Sequence, residues 1–203
     1  MEFSAEQIIV LAERVSTFQR MVKNPMKPFT TTRKIKDGRM LFEMQVDGVG
    51  RQEISSKLVG ESIIDVFIPS SQSTESLWFA RIALSSGMLI ELTSSSTSTK
   101  DWKEYGTINL RLVPAKDAEE LSLSKLMINT CCIEAVKILD FVDSDCIAEA
   151  GIAFELDAGG ELVALAGGAP GSFAIRVRTE RNAVEHPMMQ AGVRKRPISE
   201  HLE

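Results

Sequence analysis

Histidine is nearly missing from this chain. Its 203 residues hold two, His186 and His201, and both fall in the last stretch of the sequence. Histidine is the usual general base near neutral pH and the commonest metal ligand, so residues 1–178 carry no Ser-His-Asp or Cys-His machinery and no histidine-ligated metal. Long apolar runs are absent as well: none reaches the roughly 18 to 20 residues that span a bilayer, and the start, MEFSAEQ, has neither the basic opening nor the apolar core of a signal peptide. A cytoplasmic protein with no membrane partner is expected. Cysteine is scarce and odd in number, at three, with Cys131 and Cys132 adjacent. That is no disulfide framework, and neighbours on a strand point to opposite faces and cannot clamp one metal. No metal and no cofactor is expected, and no residue is assigned a catalytic role.

What is present is an ordinary globular balance, 44% hydrophobic and 25% charged with a net charge of −5, unevenly spread. Residues 1–56 are slightly basic and residues 57–178 strongly acidic. Arg20, Lys23, Lys27, Arg33, Lys34, Lys36 and Arg39 face Asp37 alone in the one basic segment. Clustered cations attract phosphate, but the acidic body repels a long polyanion, so nucleic acid is disfavoured as a partner.

Ser4 and Gln7 have the spacing of a capping box. Ile8, Leu11, Ala12, Val15, Phe18 and Val22 then recur at helical period, predicting an amphipathic helix over 4–23 that Pro25 and Pro28 end. Residues 29–36 and 39–47 flank Asp37-Gly38, the signature of a β-hairpin with a two-residue type I′ turn. Beyond residue 57 come short β-branched runs. Strands are expected near 61–68, 77–84, 88–93 and 107–113, and again near 131–139, 150–156, 161–166 and 172–178. The chain divides into an N-terminal helix and hairpin (1–56), a first β unit (57–114), a linker with a short helix from Asp117 or Ser122 (115–128), a second β unit (129–178) and a poorly packed tail (179–203).

Sliding the chain by seventy residues matches Ile63, Val66, Ile68, Ala80, Ile82, Ala83, Glu91 and Leu92 with Ile133, Val136, Ile138, Ala150, Ile152, Ala153, Glu161 and Leu162. A three-residue gap instead pairs Gly87 with Gly160. The expected fold is α+β and mostly β, with two similar four-stranded antiparallel units forming a tandem repeat. They pack face to face or join edge to edge about a pseudo-twofold axis.

Several segments are candidates for chemistry. Gly167-Gly168-Ala169-Pro170-Gly171-Ser172 lacks the Lys-Ser/Thr ending of a phosphate loop and reads as a turn, as does Asp157-Ala158-Gly159-Gly160. The polar run Ser94–Thr99 leads to Trp102 and Tyr105, aromatic anchors for a partner, while Trp78 reads as core. Asp140, Asp143 and Asp145 form an acidic loop without the glycine and glutamate of an EF-hand, a surface for a basic partner. Asp65, Glu91, Glu134, Glu155 and Glu161 are the carboxylates from which an acid and base pair would be drawn.

Residues 150–175, AGIAFELDAGGELVALAGGAPGSFAI, place an acidic residue at a strand end, then a glycine turn, then a strand into a Gly-Pro loop. This resembles a pattern in small bacterial proteins, some of them immunity proteins of polymorphic toxin systems. The resemblance implies action by binding and blocking a toxin, and it assigns no residue. The leading expectation is a non-enzymatic bacterial protein that works by protein–protein contact, as an immunity-like inhibitor or a self-associating module. Trp102, Tyr105, Asp140, Asp143 and Asp145 are its binding residues. The alternative is a small-ligand-binding protein or a carboxylate-based enzyme with its pocket between the two β units.

Overall fold

The computed structural model describes residues 30–98, 103–126, 129–157, 159–167, 171–178 and 193–202. The helix expected over 4–23 lies outside them. All eight expected strands form, and the described chain is mostly β. The first unit is an antiparallel meander of β4 (Ser62–Pro69), β5 (Phe79–Leu84), β6 (Met88–Ser98) and β7 (Glu104–Pro114). The second is a meander of β9 (Cys131–Val142), β10 (Cys146–Leu156), β11 (Glu161–Ala166) and β12 (Phe173–Arg178).

Two further strands were not expected. In place of a helix, the linker holds a 3-10 turn at Ala115–Asp117 and then β8 (Leu123–Leu126), which returns to pair with β4. Leu126 packs on the core there, and the strand supplies backbone partners to an edge that would otherwise be bare. The tail likewise holds β13 (Val193–Pro197), antiparallel to β9, followed by the fully buried Ile198. The expectation of a poorly packed tail therefore fails for residues 193–198, because β9 offers an open edge and buried carboxylates receive the strand's arginine.

The first strands of the two meanders, β4 and β9, pair at Ser62↔Cys132 and Ile63↔Cys131, while β7 crosses over β10 and β11. The sheet therefore joins at one edge and folds over itself. Between the layers, Ile63, Val66, Ile82, Ile90, Ile108 and Leu110 meet Ile133, Ile138, Ile152, Phe154 and Leu162 in one core.

The meanders share detail beyond strand order. Residues 62–69 and 132–139 run through the same succession of buried and exposed positions. Pairing skips Ile64 between β4 and β5 and Glu134 between β9 and β10. Ser85 N donates to Ser62 O at 2.9 Å, and Asp157 N to Cys132 O at 3.0 Å. Ser62 N donates to Ser85 Oγ and Cys132 N to Asp157 Oδ1, both at 3.1 Å. Gly87 and Gly159 close the next turns with φ of 79° and 70°. Val66 faces Ile82 where Val136 faces Phe154, so the ungapped shift holds for the first strands and runs two residues short afterwards. Ile63, Val66 and Ile68 coincide with their matched residues; Ala80, Ile82, Ala83, Glu91 and Leu92 do not.

The N-terminal hairpin pairs β1 (Thr31–Lys34) with β2 (Met40–Glu43). Its turn has three residues where two were expected: Gly38 N donates to Ile35 O at 2.9 Å and Ile35 N to Arg39 O at 3.0 Å. Gly38 takes the left-handed place, φ 91°, that closes a type I turn in such loops and that a side chain resists. The strand expected over 39–47 splits in two. Met44 N donates to Glu149 Oε2 at 2.8 Å and Gln45 N to Asn109 Oδ1 at 3.0 Å, so side chains take these donors from any strand partner. Upstream, β2 runs parallel to β10; downstream, β3 (Val46–Asp47) runs parallel to β7. The segment thus staples the two units. A 3-10 turn (Arg51–Glu53) and the short helix α1 (Ile54–Leu58), which buries Ile54 and Leu58, lead into β4.

Candidate functional site

Tyr105 enters the site from β7, in the first unit. It is 8% exposed, its ring stacked on Phe42 at 5.2 Å between centroids and tilted against Phe141 at 6.1 Å. Asp143 enters from the second unit, in the turn after β9. The Tyr105 hydroxyl donates to Asp143 Oδ2 at 3.0 Å, and Lys103 Nζ donates to the same oxygen at 3.1 Å. Ser144 N donates to Asp143 Oδ1 at 2.7 Å. These donors, the Ser144 amide first and then Lys103 and Tyr105, hold the Asp143 carboxyl at a pKa of about 2. Burial, followed by Cys146 and Asp143 close by, pushes the Tyr105 phenol well above its ordinary value. Both groups are moved away from neutrality, the opposite of what an acid–base catalyst at pH 7 requires.

Behind this triad lies a cavity of about 410 Å³, within the usual range for small-molecule sites. Phe141, Ala148, Ala150, Leu165, Ala166 and Val193 give it an apolar lining, Ser96 and Ser172 are its neutral polar groups, and Lys103, Glu104 and Asp143 carry its charge. Short side chains keep it open. At Gly106 an added Cβ would stand 2.7 Å from Ala166 Cβ, so β7 and β11 touch there because neither carries bulk. The cavity uses β6 and β7 of the first unit, β9, β10 and β11 of the second, and β13 of the tail, and so lies between the two β units, where the alternative expectation put a pocket.

No protein-family model, no curated protein and no solved structure matches the chain.

The other sequence candidates fall elsewhere. Trp102 lies outside the described residues. Asp145 is exposed, and its carbonyl accepts Met40 N at 2.9 Å where β2 joins β10. Asp140 does not belong to the acidic loop. Since β9 continues to Val142, Asp140 sits inside the strand at 0% exposure, accepting Arg196 Nε at 2.7 Å and Arg194 Nη2 at 3.1 Å, and it cannot meet a partner. Trp78 is half-buried, its amide donating to Gln72 Oε1 at 2.9 Å.

None of the five acid–base candidates lines the cavity. Glu91 is buried against Arg81, with contacts of 3.2 and 2.6 Å, and Arg111 at 3.4 Å. Asp65 pairs with Lys125, Glu161 with Lys195, and Glu155 with Lys137 at 4.0 Å. Glu134 is exposed at its bulge. Glu155 and Glu161 face each other across β10 and β11, each with a lysine of its own.

On the hairpin, Arg33 pairs with Glu43 at 2.7 Å and Arg39 with Asp37 at 2.5 Å; residues 20–29 of the basic segment lie outside the described residues. Gly167 N donates to Ser172 O at 2.8 Å, and residues 168–170 between them lie outside the described residues. Cys131 and Cys132 are half-buried and Cys146 is buried in the cluster of Phe42, Tyr105 and Ala148. Among the described residues no group of three or more His, Cys, Asp or Glu could hold a metal, and no helix is long and apolar enough to cross a membrane.

The sequence reading missed a buried ionic chain. Glu149, 1% exposed, accepts Met44 N and Arg51 Nη1, each at 2.8 Å, and pairs with Arg196, which is 3% exposed and also holds Asp140. The available signal was Glu149 inside the run CIAEAGIAF, buried throughout: a charge there demands a cation, and VRKRP supplies one.

Proposed function

We propose that this protein binds an apolar small molecule in the cavity between its two β units and works by binding, not by chemistry on the ligand. The observation that carries this is the cavity itself, apolar within, with its Tyr105–Asp143 pair displaced from neutral pKa values. Fluorescence titration with N-phenyl-1-naphthylamine, a neutral apolar probe, tests it. Saturable binding is expected, and Ala150→Phe, which fills the cavity from β10, is expected to abolish it. Absence of saturable binding, or binding indifferent to Ala150→Phe in a folded variant, would overturn the proposal.

The two units, in this proposal, descend from one by tandem duplication. The shared bulge, the equivalent amide caps at Ser85 and Asp157, the turn glycines Gly87 and Gly159, and the returning strands β8 and β13 support it. The amphipathic helix over 4–23 and a cytoplasmic setting belong to the proposal on sequence pattern alone.

A second reading keeps the likeness of residues 150–175 to immunity proteins: a basic protein partner docks at turn 143–145, whose Ser144 and Asp145 are exposed beside the cavity mouth. Cross-linking from a bacterial lysate that maps contacts away from this turn would remove it.

A further inference from the structure

The charge at the cavity mouth says which apolar molecule fits. The lining brings two carboxylates, Asp143 and Glu104, against one ammonium, Lys103. Asp143 is held in place by two neutral donors, the Ser144 amide at 2.7 Å and the Tyr105 hydroxyl at 3.0 Å. Neither cancels its charge. The cation it holds is Lys103, whose side chain is 57% exposed. An ion pair with so exposed a lysine contributes little. Tyr105 and Phe141 line the same cavity, and aromatic rings attract cations. A ligand anion at the same place would face two carboxylates, while a ligand cation would find a fixed anion and aromatic walls.

Resting on the cavity as a ligand site, we propose that its ligand is a protonated amine with an apolar body, whose ammonium takes the place on Asp143 Oδ2 that Lys103 Nζ now fills. Lys103 is then an internal competitor for the site, not its anchor. This turns the sign of its substitution: removing the lysine strengthens binding of an amine and weakens binding of an acid.

Isothermal titration calorimetry of the full chain at pH 7 with 4-phenylbutylamine, 4-phenylbutanol and 4-phenylbutanoate tests this, since the three share one apolar body and differ in end-group charge. The amine is expected to bind about tenfold tighter than the alcohol, a charge-assisted contact's worth, and the carboxylate weakest. Lys103→Met is expected to tighten the amine several-fold with the alcohol unmoved. Asp143→Asn keeps one oxygen to accept from Ser144 N and puts an amide nitrogen, which the Tyr105 hydroxyl can accept from, where Oδ2 stood; it is expected to bring the amine down to the alcohol's affinity. Carboxylate preference, equal binding of amine and alcohol, or amine binding weakened by Lys103→Met would overturn the amine assignment. It would also fall if none of the three bound while N-phenyl-1-naphthylamine did, though the cavity would stand as a ligand site, its Ala150→Phe control intact. If N-phenyl-1-naphthylamine and all three probes fail on the folded wild type, the site itself falls and the assignment with it.

Discussion

Where β8 runs along β4, Ser124 Oγ donates to Ser70 Oγ at 2.9 Å, both residues exposed. Where β13 runs along β9, the corresponding places hold Arg196 and Asp140: Ile68 faces Ser124 as Ile138 faces Arg196, and Ser70 and Asp140 each follow two residues later. The second contact is 2.7 Å long and sealed from water. One backbone arrangement thus carries a neutral pair at a wet edge in the first unit and a charged pair in a dry interior in the second. The difference follows from what lies above. Met44 and Arg51 reach Glu149 from the N-terminal side. Leu202, from the C-terminal side, packs with Ile35, Leu41 and Ile147. The second unit has been covered on both sides, and its ionic chain ties the covering segments down.

Breaking each pair separates these cases most widely. Arg196→Ala leaves Asp140 and Glu149 buried without their shared cation, and losing one partner of a buried pair costs about 3–5 kcal/mol. Ser124→Ala removes one exposed neutral hydrogen bond and is expected to cost less than about 1 kcal/mol. Urea denaturation of both variants at pH 7 measures the contrast. Comparable losses would mean that water reaches Asp140 and that the two edges are energetically alike.

A smaller effect sharpens what the units share. Gly87 and Gly159 both hold positive φ at the turn after the second strand of their meander. A residue with a Cβ is strained there by roughly 1–2 kcal/mol, so Gly87→Ala and Gly159→Ala are expected to lower stability by similar amounts. A neutral result at one glycine and a full loss at the other, read from the same urea curves, would show that only one turn needs the left-handed conformation. The likeness of the units would then stop at their first strands.

The strands were legible because β-branched runs with turn residues between them declare strands locally. The likeness of the two units was legible only in part, for a reason intrinsic to strands: side chains alternate with period two, so a slip of two residues keeps every apolar position facing inward. Ile82 matches Ile152 in sequence, yet its structural counterpart is Phe154. β8 and β13 were hidden because LSKL and VRKRP are too polar and too short to signal a strand; they form because β4 and β9 have edges to offer. At the site, Tyr105 and Asp143 each drew notice as an aromatic and an acid, but their meeting depends on β7 crossing the second unit, which no local pattern encodes. The cavity depends on residues that draw no notice as site residues, Gly106, Ala148, Ala150 and Ala166, since small side chains in a strand read as filler.

The smallest effect is where the comparison becomes one of titration. The ungapped shift brings Ser73 of the first unit opposite Asp143 of the second, so only the second unit has an acid to protonate there. Asp143 has a folded pKa of about 2 against about 3.9 for an unfolded aspartate. A depressed folded value means that the carboxylate's contribution to stability is complete above the unfolded pKa and is lost as pH falls through the folded one. Between about pH 4 and pH 2 the wild type should therefore lose stability that Asp143→Asn, having no proton to gain, does not lose. The urea midpoint of the variant is expected to lie below that of the wild type at pH 7 and to converge on it toward pH 2. The group is part-exposed and the shift in midpoint should be modest, so the sign of the convergence is the readout. Parallel midpoints down to pH 2 would mean that Ser144, Tyr105 and Lys103 do not favour the ionised carboxylate, and the fixed anion at the cavity mouth would lose its support.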